Sequence, residues 1–290
     1  MQAQDSANVG GVLDDGVGLF KAAFVSVLGL AFASALVRSL PYLYPSWYEV
    51  IFAGISDGVL AGAMTGAEDV LGALGDTLLR VMVTWPIGIF LAFAVIIQMD
   101  GVANGSTIRW HRALGQAWRR APPLLGCLGV YALAVSLTFG TVLTFGALVL
   151  RDFILDVPDA LLTLVAGLAG MAVSLVALVP LVVLFIYWCL ALPLVASEGL
   201  SAIRALRKSW RLVRGNWWRT LVIVSVAGFI VFAVASLAGI AGTLLVAASE
   251  GGLGVRVAAV LFNAAGGTLT TPLFLAVLLA VQNDLSQDRP

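Results

Sequence analysis

The chain has 290 residues, 61% of them hydrophobic and 11% charged, with a mean hydropathy of +1.03. Soluble domains carry about 25% charged and about 45–50% apolar residues, so an integral membrane protein is expected. The 16 basic and 16 acidic residues cancel, and a neutral chain gives no reason to expect a nucleic-acid partner. Cys127 and Cys189 both lie in apolar runs and read as small buried hydrophobes. With His111 as the single histidine, no metal-ligand spacing exists. Neither a metal nor a cofactor is expected.

The N-terminus lacks the cationic opening of a signal peptide, because Asp14 and Asp15 precede Lys21. Ala33-Ser34-Ala35 still has the form of a cleavage site, so processing within residues 1–35 stays open. A hydrocarbon core of about 30 Å takes around 20 apolar residues per helix, and six stretches qualify. The first is 20–37, followed by an aromatic belt of Tyr42, Tyr44, Trp47 and Tyr48. Residues 41–76 form an acidic, glycine-containing connection with room for a short surface helix. The second span is 77–99, with a kink expected at Pro86. The third is 122–150, opening on Pro122 and Pro123, since proline is tolerated in a first turn. A turn from Arg151 to Asp159 leads to the fourth, 160–195, bent at Pro180 or tilted. The fifth is 220–247. A turn with Gly251, Gly252 and Gly254 precedes the sixth, 255–281. The fold class is thus all-α, a polytopic membrane protein forming a single integral membrane domain over residues 1–290.

Charge concentrates between spans, at about 105–120 and 198–217. In a helix over the second stretch, Ile203, Leu206, Trp210, Val213 and Trp217 form one stripe with spacing 3, 4, 3, 4. Arg204, Arg207, Lys208, Arg211 and Arg214 fall beside it. This is the pattern of a basic amphipathic helix lying in the plane of the bilayer interface. Basic residues also set orientation. Six spans place 12 of the 16 on one side, leaving Arg38, Arg80, Arg151 and Arg256 on the other. Both termini and both interfacial helices are therefore expected in the cytoplasm.

The pattern RALxxxWR occurs twice, at Arg112–Arg119 and Arg204–Arg211. Each copy precedes a span and follows a span ending in an acid, Asp100 or Glu198; the sixth span ends in Asp284. A pseudo-repeat of one surface helix and two spans follows, with Val12–Lys21 as a degenerate third copy. The run from Ser197 to Val224 resembles the signature of a broad superfamily of six-span bacterial inner-membrane proteins. That superfamily includes the YciC-like proteins and the membrane domain of glycerophosphoryl diester phosphodiesterases. The matching positions are Glu198, Gly199, Ala205, Leu206, Ser209, Trp210, Gly215, Asn216, Trp217 and Arg219. The resemblance implies a six-span inner-membrane fold. It also implies that any phosphodiesterase chemistry belongs to a separate soluble domain, which is not expected in this chain.

Candidate lipid- or partner-contacting residues are Arg109, Arg112, Trp118 and Arg119 in the first basic helix. In the second they are Arg204, Arg207, Lys208, Trp210, Arg211, Arg214 and Trp217. Arginines there either fix topology and snorkel, attract anionic headgroups at about 1 kcal/mol each, or dock a partner. Asp100, Glu198 and Asp284 are candidates for helix caps or for ion pairs with arginines of an adjacent repeat. Asn263, Gly266, Gly267 and Thr270 form the most polar part of any span. They fit either close helix packing or a broken helix of the transporter kind. His111 reads as an interfacial headgroup contact. No nucleophile–base set stands out. The expectation is a non-enzymatic inner-membrane protein that organises membrane, or binds anionic lipid headgroups or another membrane protein, through its basic helices. The alternative is a transporter or channel for a small or lipidic solute.

Overall fold

The computed structural model describes residues 9–40, 67–154, 178–247 and 252–287, with isolated helical positions at 172 and 176. Every element among the described residues is helical. In chain order they are α1 (Val9–Ser39), α2 (Ala67–Ala103), α3 (Trp110–Arg119), α4 (Ala121–Ile154), α5 (Ala191–Glu198), α6 (Ala202–Arg214), α7 (Trp217–Ala247) and α8 (Leu253–Gln287). Residues 178–188 are also helical and join α5 through a two-residue turn at 189–190.

Among the described residues, six helical segments are long and apolar enough to cross a membrane. They are Val9–Ser39, Thr84–Ala103, Ala121–Thr138, Leu178–Glu198, Trp217–Gly242 and Leu253–Gln287. Much of their apolar surface is unburied. Val25, Leu133, Phe229, Phe232 and Leu237 all face outward. In water that area would be an aggregation surface, whereas in a bilayer it is the face presented to lipid. The chain is an all-α membrane protein.

Several boundaries move from those expected. α1 begins at Val9 and runs unbroken through the stretch read as a third surface helix. Among the described residues, Val12–Lys21 therefore forms no separate surface helix. The reason is local, since Val12–Lys21 contains neither a proline pair nor a Gly-Asn step to end a helix, unlike the ends of α3 and α6. α2 begins at Ala67, inside the connection expected over 41–76; residues 41–66 lie outside the described set. α2 also continues through Pro86. α4 continues to Ile154, where a turn had been expected from Arg151. α8 continues to Gln287, so Asp284 lies within a helix. Of the span expected over 160–195, the structure describes only its second half and positions 172 and 176.

The helices form two compact units. The first comprises residues 1–119 and 223–281. In it, α1 buries Ala23, Val27, Ala31, Ser34 and Ala35, and its main partner is α2, which buries Phe93 to Ile97 and Met99. Small side chains let the two backbones approach closely. The Ser34 hydroxyl donates to the Gly88 carbonyl at 2.8 Å, and Ser26 shares a cavity with Gln98, which sets the pair antiparallel. Gly88 leaves room for the stem of Arg38, whose guanidinium donates to Thr271 Oγ1 at 2.6 Å. A Cβ at Gly88 would clash with Arg38 Cγ.

The second unit comprises residues 120–222 and 282–290. α4 approaches α6 closely at Gly126, where a Cβ would lie 2.8 Å from that of Ala202. Cys127 and Cys189 are free and buried, as expected of small apolar side chains.

Gly88→Ala should displace Arg38 and break its bond to Thr271, destabilising the fold by about 1–3 kcal/mol. Gly29→Ala meets nothing within 4 Å and should be neutral or stabilising by about 0.5–1 kcal/mol. Thermal unfolding of the two variants in detergent checks the contrast, with only the first expected to lower the midpoint.

Candidate functional site

The charged motif resolves into a helix with three distinct faces. α6 buries Ala205, Leu206, Ser209, Leu212 and Val213, a stripe with the spacing of one helix side. On the opposite side Arg204, Arg207, Arg211 and Arg214 are exposed. Between them lie Ile203, 66% exposed, and Trp210, 37% exposed. The stripe read from sequence thus divides. Leu206 and Val213 pack into the protein, while Ile203 and Trp210 remain outside. The protein-facing side is centred instead on Ala205 and Ser209, both wholly buried.

A short set of contacts seats α6 against the helical stretch before it. The Ser209 hydroxyl donates to the Tyr187 carbonyl at 2.7 Å. The Trp210 ring stacks on that of Tyr187, with centroids 3.9 Å apart and planes 17° apart. Lys208 Nζ pairs with Glu198 at 2.6 Å. Gly199 ends α5 in the left-handed region at φ 64°, donating its N–H to the Val195 carbonyl; a glycine suits that backbone because it has no Cβ to clash. The Arg120 guanidinium donates to the Ala196 carbonyl beside it. Ser201 precedes α6 without a side-chain capping bond, so Glu198 acts here as an ion-pair partner. At the other end, Thr220 donates its backbone N–H and its hydroxyl to the Asn216 carbonyl, which carries the chain from α6 into α7. Arg219 pairs with Asp284 at 2.8 Å, a pairing within the repeat that α6 opens, whereas the Lys208–Glu198 pair joins successive repeats. Trp217 packs edge-on against Trp218.

The first copy of the repeat shows the same division within its own unit. α3 buries Ala113 and Ala117, the equivalents of Ala205 and Ser209. Arg109, Arg112, Trp118 and Arg119 are exposed, and Trp118 also meets Phe90 edge-on at 6.0 Å. His111 is exposed and stands edge-on to Trp110. Asp100 accepts from the Asn104 carboxamide at 3.3 Å.

The polar stretch of α8 lies in an unbroken helix. Thr268 and Thr270 bond back to the carbonyls of Ala264 and Gly266, and Asn263 bonds back to Ala259. A Cβ at Gly266 would lie 2.7 Å from Ala238 Cβ, and one at Gly267 would lie 2.8 Å from Ala35 Cβ. These positions act as a close-packing seam. No group of three or more metal-ligating side chains occurs among the described residues.

Sequence reasoning passed over Gln98 and Gln282. Each is buried, and each has a carboxamide oxygen without a partner. Gln98 donates Nε2 to the Ile108 carbonyl at 3.0 Å; Gln282 donates to Ser197 Oγ at 3.0 Å. The signal was present, since both stand two residues before a span-ending acid, as Gln98-Met-Asp100 and Gln282-Asn-Asp284.

Six apolar crossings joined by charge-faced helices define a polytopic membrane protein. A model of the family described as the membrane domain of glycerophosphoryl diester phosphodiesterase matches residues 130–284. The chain belongs to that family. No curated protein and no solved structure matches the chain.

Replacing Ser209 with Ala should cost about 1 kcal/mol through the lost bond to Tyr187. Ser209→Leu should cost more, because the site is wholly buried and has no space for added methylenes. Thermal midpoints ordered wild type, Ala, Leu would fit this packing; equal midpoints would contradict it.

Proposed function

We propose that the protein is a non-enzymatic component of the bacterial inner membrane that holds anionic lipid, or a membrane partner, against the cationic faces of α3 and α6. Both termini face the cytoplasm on this proposal, because the excess of basic residues marks the cytoplasmic side. The carrying observation is the division of α6 into a buried side and an opposite side of exposed arginines. The side chains that seat the helix are Ser209, Trp210 and Lys208, while Arg204, whose Nε donates to Ser201 Oγ at 2.9 Å, lies with Arg207, Arg211 and Arg214 on the exposed side. Exposed Ile203 and Trp210 suit the acyl boundary, and the arginines suit the phosphate layer. Membership of a membrane-domain family agrees with a role exercised at the bilayer.

Arg204, Arg207, Lys208 and Arg211 changed together to Gln should leave insertion intact and deplete bound anionic lipid. At about 1 kcal/mol per cation, anionic enrichment should fall roughly tenfold or more. Mass spectrometry of lipids and proteins copurified in mild detergent measures it. An unchanged complement of both would count against the proposal.

A further inference from the structure

A cavity of about 410 Å³ opens in the first unit between α1, the end of α2 and the start of α3. Its polar lining comes from Ser26, Gln98, Thr107, Arg109 and His111, with Trp110 as an aromatic wall. The lining contains one cation, Arg109, and no carboxylate. α3 has no acidic residue in its first turn to offset the positive end of its dipole, and although the Arg112 and Ala113 N–H groups donate to the Arg109 carbonyl, those of Trp110 and His111 head the helix at the cavity. These features favour an anion, and the planar Arg109 guanidinium suits the paired oxygens of a phosphate.

Gln98 adds a second requirement. It is 2% exposed. Its Nε2 is committed to the Ile108 carbonyl at 3.0 Å, which fixes which end of the carboxamide is oxygen. That oxygen is buried without a partner. A buried acceptor left unpaired is costly, more so beside lipid than beside water. Rotating the amide to serve it would break the bond that holds the loop before α3. The acceptor is satisfied if the occupant brings its own donor.

We infer that this cavity is a discrete binding site for a phosphate ester carrying a hydroxyl donor, with the phosphate held by Arg109 and the α3 N-terminus and the hydroxyl donating to Gln98 Oε1. The ester is either an anionic lipid headgroup or a soluble polyol phosphate. The site rests on the proposed function only in placing the start of α3 at headgroup depth. It adds selectivity for headgroup chemistry, which a field of exposed arginines does not supply.

Titration of the detergent-solubilised full chain tests it, followed by native mass spectrometry or calorimetry. The probes are short-chain phosphatidylglycerol, short-chain phosphatidylmethanol and glycerol 3-phosphate. The two lipids carry the same charge and differ in headgroup hydroxyls. Wild type should bind phosphatidylglycerol roughly tenfold more tightly than phosphatidylmethanol, the size of one hydrogen bond at a buried acceptor. Gln98→Met should abolish that preference, and Arg109→Gln should weaken binding of both lipids. Glycerol 3-phosphate binding as tightly as phosphatidylglycerol would identify a soluble ester as the occupant; binding far more weakly would identify the lipid. Equal affinity of wild type for the two lipids, with no binding of the soluble ester, would overturn the inference without any variant. The α6 quadruple variant separates the two claims. It should lose bulk anionic enrichment and keep the phosphatidylglycerol preference. If it keeps both, the α6 proposal fails and the cavity stands; if wild type shows no lipid preference and does not bind the soluble ester, the cavity fails whatever α6 does.

Discussion

The Ser209 hydroxyl and the Tyr187 carbonyl, 2.7 Å apart, hold the most highly charged helix of the chain against an apolar wall. Everything distinctive about α6 depends on that seat. The helix approaches closely because Ala205 and Ser209 are small and fully buried, and because the Trp210 ring lies flat on Tyr187. Close approach fixes the rotation of the helix about its axis. Fixed rotation decides that Arg204, Arg207 and Arg211 lie on the exposed side. The ion pair between Lys208 and Glu198 adds little energy at partial exposure, but it closes the corner where α5 turns into α6.

The same device appears in reduced form in α3. Ala113 and Ala117 take the places of Ala205 and Ser209, and exposed arginines again lie off the buried side. What differs is the seat. Gln98 replaces a hydroxyl as the side chain that reaches a backbone carbonyl, here that of Ile108. One copy of the repeat is therefore locked by packing and stacking. The other is locked by a carboxamide whose oxygen remains unsatisfied, and that copy has the cavity.

Hydropathy and the positions of basic residues were enough to read the six crossings and the two charged helices, because bilayer thickness fixes span length. The RAL repeat was equally legible, and its two alanines prove to be the buried positions. Rotation of α6 was not. A 3, 4, 3, 4 spacing in large apolar residues selected Ile203 and Trp210, whereas close helix packing is governed by the small ones. Nor did the third copy survive as a separate surface helix, since nothing in Val12–Lys21 ends a helix before the span begins. The buried glutamines were missed because a single carboxamide inside a span carries no periodicity. Its meaning lies in a partner ten residues away for Gln98 and 85 residues away for Gln282. The bond from Arg38 to Thr271 joins residues 233 apart, a pairing no local pattern encodes.

A depth profile along α6 tests the central claim most directly. Single nitroxide labels at positions 203, 204, 207, 210, 211 and 214, in bilayers, would report immersion by collision with oxygen and with a polar relaxant. Depth should oscillate with the helical period, placing 203 and 210 at the acyl boundary and 204, 207 and 211 at or above the phosphates. Immersion that deepens steadily from one end of the helix to the other would show α6 standing upright, and uniform exposure to the polar reagent would show it free in water. Either result would contradict a helix held flat with its arginines facing the headgroups.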